Sequence, residues 1–445
     1  MPGDRQGAEN APTFPAQANT RMNNKTSPAL LTAWLICGLV SLAQYGNFYV
    51  YDSIGPVADL LQQQRGFTDT QVGMLNAIYS LPNVVLVLVG GILVDRFGAA
   101  RMTVVTAAIC LAGSLLTALS PDFMGMAAGR LLFGIGAETF SIATLAAIAE
   151  YFEGGKVAFA MGLTLSIARL GSYSADKSPD WFASSYAQGW QPPLEIAVVF
   201  AASSFIAALV YWWIDRGAKA ARVGKAAPQA QPFVLRDLLH FGRAYWYLLL
   251  LCVLWYSVIL AFRSTFSIKY FQHTHGLDLA TAGTMNSYVF LAAVFATPAF
   301  GWLCDRVGRY APFLAFGAVL LPIALAMMAL TDLSLWVPTA LIGVSYSLVP
   351  AVMWPLTSKL VGPARFGTAI GLMWVIQNAG IAGANLVAGW LNTRSGASAQ
   401  NPAGYDAMML FFGIASVLGA VFALLLWLTA GRKAQEAATH VTRAV

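Results

Sequence analysis

The sequence predicts an all-α membrane protein of twelve transmembrane helices, arranged as two pseudo-symmetric six-helix bundles. Three observations support this prediction: the composition, the spacing of apolar segments and an internal repeat. Of the 445 residues, 58% are hydrophobic and 10% are charged, whereas about 25% are charged in an ordinary soluble domain. A chain this apolar cannot cover a water-exposed surface with polar groups, and a lipid bilayer removes that requirement.

A transmembrane helix needs about 20 predominantly apolar residues, and twelve segments of the chain meet that condition. The first six cover 29–51, 71–94, 102–119, 124–151, 156–176 and 194–214. The second six cover 244–270, 281–304, 311–330, 335–360, 366–391 and 406–429. The domains predicted from these segments are a disordered cytoplasmic tail (1–28), an N-terminal bundle (29–214), a cytoplasmic linker (215–243), a C-terminal bundle (244–430) and a second cytoplasmic tail (431–445).

Lys and Arg are distributed unevenly between the predicted loops. If both termini are cytoplasmic, most of the 26 basic residues lie on the cytoplasmic side of the membrane. Those left on the outside are Arg65, Lys177, Arg263, Lys269 and Arg394. The positive-inside rule therefore favours cytoplasmic termini, and the basic charge reports topology and not nucleic-acid binding.

A short loop motif, Gly-x-Leu-x-Asp-Arg-x-Gly, follows both the second and the eighth segment. The copies are about 210 residues apart, as expected for a transporter built from parallel six-helix repeats. Its glycine permits close helix approach, its aspartate can accept hydrogen bonds, and its arginine can pair with Glu150 or Glu153. The motif residues expected to act in gating or structure are Gly91, Asp95, Arg96, Gly98, Asp305 and Arg306.

These paired motifs resemble the signature of the major facilitator superfamily. The run Arg130-Leu-Leu-Phe-Gly134-Ile-Gly136-Ala-Glu138 in the fourth segment is similar to the second signature of that superfamily. The resemblance covers about residues 29–430 and implies the major facilitator fold, in which two bundles rock around a central site. Arg130 lies about 12 Å outward of Glu138, so we expect it to support the structure, with a place in the site as the alternative.

A narrower resemblance is carried by Tyr79-Ser-Leu-Pro-Asn-Val-Val, by Glu138 and by Ser166-Ile-Ala-Arg169. These runs are similar to the corresponding helices of a branch that includes the animal lysosomal dipeptide uniporter. The resemblance implies that Glu138 and Arg169 contact the two charged ends of a peptide. The N-terminal tail carries no acidic dileucine sorting signal, which favours a bacterial plasma (inner) membrane as the location.

Glu138 and Arg169 are also the main functional candidates from their chemistry. Ionisable residues inside a span cost about 2.5–3.5 kcal/mol each on insertion scales, so they are functional candidates by default. Both residues lie about 21 Å from the cytoplasmic end of their helices. They can pair with each other, or separate and bind the ammonium and carboxylate of a zwitterion. A buried structural salt bridge is the alternative interpretation.

Further polar and aromatic residues in mid-span positions predict the walls of a substrate cavity. They are Asn76, Tyr79, Tyr256, Tyr346, Trp354, Trp374, Gln377 and Asn378. Asn378 occupies the position equivalent to Arg169 in the second repeat. For each residue alone, helix packing remains the alternative. Asp52 and Arg263 lie near the outer ends of their helices, where we expect a gate.

Together these features favour a secondary transporter of short peptides, dipeptides in particular, that works as a facilitator by alternating access. One alternative is a proton-coupled transporter of a monocarboxylate or other organic anion, with Arg169 as anchor and Glu138 as proton carrier. Another is a membrane sensor that does not transport. The chain shows no nucleophile–base arrangement, phosphate-binding loop or metal-ligand spacing. We therefore expect no enzymatic activity, cofactor or metal, and as partners only the bilayer and a small peptide or zwitterion, bound by a monomer.

Overall fold

A computed structural model describes residues 28–153, 155–218, 240–361 and 365–442 of the chain. The spans of the N-terminal half are α1 (Pro28–Asp52, continued as Ile54–Arg65), α2 (Asp69–Ser80, continued as Asn83–Phe97), α3 (Ala99–Leu119), α4 (Phe123–Tyr151), α5 (Gly155–Trp181) and α6 (Gln191–Gly217). Those of the C-terminal half are α7 (Arg243–Ala261, a π-turn over Phe262–Phe266, then Ser267–His275), α8 (Leu279–Val307), α9 (Tyr310–Leu330), α10 (Trp336–Val361), α11 (Phe366–Ser395) and α12 (Asp406–Thr442).

The number of spans agrees with the sequence prediction. Among the described residues, ten helices are long and apolar enough to cross a membrane, and α2 is an eleventh if the stretches Asp69–Leu86 and Val89–Phe97, bent by 64° relative to each other, form one span. The twelfth is α5, which has 27 residues but is less hydrophobic than these spans because it contains several charged side chains. The residues that lower its hydropathy include Arg169 and Asp176, which belong to the site described below.

Helix ends differ from the prediction by five residues or more in α1, α5, α7 and α12. The first span was expected to end at residue 51, but a further helix, Ile54–Arg65, continues it and buries Val57 and Leu61. The fifth was expected to end at residue 176 and instead reaches Trp181. Both extensions are too polar to register as membrane segments. Helix α12 continues to Thr442 and so covers most of the predicted second tail, 431–445. Residues 1–27 of the predicted first tail and residues 219–239 of the predicted linker lie outside the described residues, so those boundaries remain predictions.

Local sequence signals set the ends of several helices. At the start of α2, the Thr68 side chain accepts from the backbone of Gln71, and the Gln71 side chain accepts in return from the backbone of Thr68. This reciprocal arrangement is a capping box. Gly98 and Gly308, which close the two loop motifs, have φ values of +86° and +71°. Glycine adopts such angles without steric cost, so both motifs end their helix in a tight turn.

Glycines also bring spans into close contact. A Cβ at Gly171 on α5 would meet the backbone carbonyl of Tyr45 on α1, and one at Gly113 on α3 would meet the backbone of Phe133 on α4. Small residues permit such backbone approach in membrane helices. Because the spans alternate in direction, α1 begins and α12 ends at one end of the bundle, together with the α2–α3 and α8–α9 turns. We call this the terminal end and the opposite one the distal end.

Candidate functional site

A buried charge network joins the two halves at the distal end. Arg263, in the π-turn of α7, donates through one guanidinium nitrogen to Asp52 on α1 at 2.8 Å, and through another to Asp176 on α5. All three side chains are at most 2% exposed. Asn286 on α8 adds a hydrogen bond to Asp176 at 3.0 Å. A guanidinium from one half therefore holds two carboxylates of the other, as expected of a gate.

Two further pairs lie beside this network, on the second part of α7. Lys269 contacts both Asp69 and Gln62 of the N-terminal half. His273 contacts Asp59 at 2.9 Å through Nε2. These residues come from helix ends that cover the distal face, so the extension of α1 contributes directly to closing it.

Hydrogen bonds also run along the seam between α2 and α11. The hydroxyl groups of Thr70 and Thr393 are 2.9 Å apart. A Cβ at Gly73 would meet the backbone carbonyl of Asn385. Every hydrogen bond or ion pair joining two described residues of different halves lies at the distal end. The structure is therefore closed at that end.

The loop motifs lie at the terminal end and are exposed. Arg96 lies over the ring of Phe97, with 5.4 Å from its guanidinium carbon to the ring centroid, and Arg306 lies over Trp302 at 5.3 Å. Asp305 accepts a hydrogen bond from Tyr310 in the next helix. The expected pairing of Arg96 with Glu150 or Glu153 is absent among the described residues. The exposed motif residues at this end are Gly98, Asp95, Arg96, Asp305 and Arg306, with Gly91 partly buried one turn before Asp95.

Arg169 lies between the halves, surrounded by aromatic rings. Its guanidinium carbon is 5.3 Å from the ring centroid of Phe48 on α1, 5.6 Å from Phe290 on α8 and 5.3 Å from Tyr346 on α10. Within the described part of the chain it makes no ion pair and donates no hydrogen bond. A guanidinium held by aromatic faces keeps its donors available for an anion. Arg169 thus has the chemistry of a carboxylate-binding group.

Glu138 faces α2. Its Oε1 accepts a hydrogen bond of 3.2 Å from Nδ2 of Asn83, and Glu138 has no ion-pair partner among the described residues. One turn before it, a Cβ at Gly134 would meet the carbonyl of Tyr79. The sequence left two arrangements open for Glu138 and Arg169, paired or separate. In this conformation the two charges are separate.

Arg130 lies two turns distal to Glu138 on the same face of α4. It is 1% exposed and donates to Oδ1 of Asn76 at 2.6 Å and to the carbonyls of Val50 and Tyr51 at 3.2 Å each. With a further bond from Nε to the carbonyl of Leu75 at 3.4 Å, all three guanidinium nitrogens donate within the N-terminal half. Asn76 also donates to Thr265 in the π-turn at 2.7 Å. The structure therefore places Arg130 and Asn76 in the distal network and not beside Arg169.

The predicted aromatic residues of the C-terminal half form one connected series. The ring centroids of Trp374 and Trp354 are 6.2 Å apart, and those of Trp354 and Tyr256 are 6.4 Å apart. Trp255, at 4.9 Å from Tyr256 and 6.0 Å from Tyr346, links this pair to the rings around Arg169. The structure thus brings Tyr256, Tyr346, Trp354 and Trp374 together as a wall that ends at Arg169.

The remaining candidates have local partners. Asn378 donates to the carbonyl of Trp374 in its own helix at 3.0 Å, and Gln377 accepts from Cys252 at 3.7 Å. Tyr79 packs its ring 5.4 Å from the Arg130 guanidinium. Tyr79 therefore lies between the distal network and Glu138, while Gln377 and Asn378 adjoin the aromatic wall.

Sequence reasoning missed several residues of this arrangement. They are Asp59, Asp69, Asp176, His273, Phe48, Phe290 and Asn83, of which the first four belong to the distal closure and the last three surround Arg169 or Glu138. Asp176 could have been found from the sequence, because it lies at the end of a predicted span. Placing a carboxylate there costs free energy, which makes such a residue a functional candidate. The aromatic rings carried no such signal, because aromatic residues are common in membrane helices.

Comparisons with known proteins agree with this architecture. The family model described as Major Facilitator Superfamily matches residues 36–385 and 264–444. The lysosomal dipeptide transporter MFSD1 of Danio rerio is 30% identical over 409 residues, which cover 89% of this chain and 87% of that protein. A probable sulfoacetate transporter of Cupriavidus necator is 26% identical over 425 residues, covering 88% of this chain and 93% of the relative.

A solved structure has the same fold. It is a bacterial homologue of the human lysosomal transporter Spinster, in an inward-facing and unoccupied conformation. It matches with a TM-score of 0.70 at 15% identity, over 91% of this chain and 98% of the other. The twelve spans, the family model and these relatives agree that the protein is a multi-pass membrane transporter and not an enzyme. The chain belongs to the Major Facilitator Superfamily.

Proposed function

We propose that this protein is a facilitative transporter of short peptides, dipeptides in particular, with Glu138 and Arg169 contacting the two charged termini of the ligand. The observation that carries the proposal is that two opposite charges lie mid-span in the N-terminal half and have no ion-pair partner among the described residues. Uncompensated charges inside a membrane protein are costly. A zwitterionic ligand would neutralise both at once.

The two halves supply different kinds of side chain to the site, and this arrangement fits a broad substrate specificity. The charged groups come from α4 and α5, whereas the facing wall of the C-terminal half consists of Tyr and Trp rings. A site that binds the shared charged termini and packs the variable side chains against aromatic surfaces accepts many sequences. The name of the Danio rerio relative, a lysosomal dipeptide transporter at 30% identity, supports the same ligand class.

Transport by alternating access follows from the asymmetry of the closure. The distal network would open while the two loop motifs approach the opposite half, exposing the site to the other side of the membrane. If the termini are cytoplasmic, as the distribution of basic residues favours, the closed distal end faces outward and the conformation is inward-facing.

Counterflow in proteoliposomes tests the proposal. Vesicles loaded with an unlabelled dipeptide should accumulate the labelled one, and Glu138→Gln and Arg169→Met should each reduce this accumulation. A lost charge-assisted hydrogen bond is worth about 1.5–3 kcal/mol, or roughly 10- to 100-fold in affinity. Arg65→Met serves as the control, since Arg65 is exposed and its contacts among the described residues, the Pro121 carbonyl and the Trp190 ring, belong to its own half. Normal dipeptide counterflow by both site variants refutes the proposal.

A second candidate is transport of a small organic anion. Arg169 has no carboxylate partner in the part of the chain that the structure describes, so it would also bind a lone carboxylate or sulfonate, and the Cupriavidus necator relative is named a probable sulfoacetate transporter. Glu138 would then be dispensable for binding or would carry a proton. Uptake of sulfoacetate or a monocarboxylate, driven by a pH gradient and insensitive to dipeptides, would establish this function in place of the first.

A further inference from the structure

We propose that Asn83 is a positioning residue of the substrate site, because its amide holds the Glu138 carboxylate in the orientation that receives the ammonium group of the ligand. The inference rests on the proposed function and adds a residue that contacts Glu138 and not the ligand itself. Three observations support it: the register between two helices, the burial of Asn83 and the interruption of α2.

The register of α2 against α4 brings Asn83 and Glu138 together. Both helices run from the distal to the terminal end, and contacts between them repeat every four residues. Arg130 bonds to the carbonyl of Leu75, a Cβ at Gly134 would meet the carbonyl of Tyr79, and Glu138 accepts from Asn83. A spacing of four places residues on one helix face. The close approach at Gly134 therefore fixes the distance across which Asn83 reaches Glu138.

Burial leaves Asn83 with one partner. The side chain is 0% exposed, and its Oδ1 has no hydrogen-bond partner among the described residues. Two buried amides of α11 are satisfied within their own helix, since Asn378 and Asn385 donate to the carbonyls four residues earlier at 3.0 and 2.9 Å. Burying an amide costs free energy unless it is hydrogen-bonded. Among the described residues, the hydrogen bond to Glu138 is what offsets the cost of burying the Asn83 amide.

The interruption of α2 explains why the side chain is available for that bond. Pro82 has no N–H and breaks the helix between Ser80 and Asn83. Asn83 is the first residue of the second segment, and no side-chain hydrogen bond caps this helix start. Asn often bonds to nearby backbone at such positions, but here its donor points across to α4. The carboxylate of Glu138 is thereby restrained through its Oε1 atom.

A double-mutant cycle tests this role through dipeptide binding to the purified protein in nanodiscs, measured by calorimetry. Asn83→Leu should weaken binding about tenfold, the size of a hydrogen bond to a charged group. In the Glu138→Gln background it should change affinity less than twofold, because the carboxylate that it positions is gone. Asn83→Asp keeps the side-chain volume and removes the donor, so it should weaken binding at least as much as Asn83→Leu.

Asn392→Leu is the matched control. Asn392 is also 0% exposed, and its Oδ1 has no hydrogen-bond partner among the described residues, but its amide donates to Met408 and it lies near the end of α11, in the other half of the protein from Glu138. It should leave dipeptide affinity unchanged in both backgrounds. Equal losses from Asn83→Leu in both backgrounds, or no loss in either, would overturn the positioning role while leaving the proposed function intact. Unchanged affinity in Glu138→Gln alone would refute the proposed function itself.

Discussion

Removing the Arg263 guanidinium should open the distal end of the protein. The variant Arg263→Met keeps an apolar stem in the π-turn but leaves Asp52 and Asp176 facing each other without a cation. Both carboxylates are at most 2% exposed, and Asp52 already has one oxygen without a partner. Two uncompensated carboxylates in this position favour any conformation that admits water.

The expected magnitude follows from the cost of a broken buried ion pair. Removing one partner of such a pair destabilises the closed state by about 3–5 kcal/mol, and each 1.4 kcal/mol changes an equilibrium about tenfold. The ratio of distal-closed to distal-open molecules should therefore fall by about two to three and a half orders of magnitude. Neutralising the carboxylates as well, with Asp52→Asn and Asp176→Asn, should recover most of the closed state, because the uncompensated charges are gone.

Cross-linking across the α2–α11 seam measures this equilibrium. In a background without the four native cysteines, Thr70→Cys and Thr393→Cys place two thiols where the hydroxyls are now 2.9 Å apart. A short thiol cross-linker should join them efficiently in the parent protein and poorly in Arg263→Met. Arg65→Met, which removes an exposed charge of the same face, should cross-link like the parent. Unchanged cross-linking in Arg263→Met would refute the gate.

Three smaller predictions concern Gly73, Tyr346 and Asp278. Gly73→Val should prevent close approach to the Asn385 carbonyl, so that thiol cross-linking at the distal seam and maximal transport rate both fall while the protein still folds. Tyr346→Leu should weaken dipeptide binding several-fold, because a cation–π contact is worth about 0.5–2 kcal/mol, whereas Tyr346→Phe keeps the ring and should bind within twofold of the parent. Asp278 caps α8, and its hydrogen bonds to Thr281 lower the pKa of its carboxyl below the ordinary 3.8. The stabilisation is therefore complete above pH 3.8 and lost as the pH falls through the lower folded-state pKa, so the difference in melting temperature between the parent and Asp278→Ala should shrink in strong acid.

Much of the fold could be predicted from the sequence because a bilayer imposes simple rules. Span number followed from apolar length, and the two-halves organisation followed from the repeated loop motif. The prediction was least accurate at polar helix ends. Ile54–Arg65 and the end of α5 are helical, although their composition does not resemble that of a membrane segment. These stretches are stabilised by contacts between the halves, which a hydropathy window cannot detect.

The sequence predicts a depth and a chemistry for the candidate site, but it does not predict which neighbours the two charged residues face. Helix counting placed Glu138 and Arg169 at similar depth, and intramembrane cost singled them out. Which neighbours they face depends on helix register: Glu138 faces α2 because Gly134, one turn away, packs against that helix. Arg169 contacts rings from three helices, two of them in the other half, and no local pattern in the sequence encodes that meeting.

The most direct test of the account is thermal stabilisation of the purified protein by chemically matched ligands. Ligands that bind the native state raise its melting temperature by mass action. The account predicts a clear rise with a free dipeptide and none with the same dipeptide acetylated at its amino terminus or amidated at its carboxyl terminus. A rise with monocarboxylates or sulfoacetate alone, or an equal rise with the blocked peptides, would contradict a site in which Glu138 and Arg169 bind the two termini.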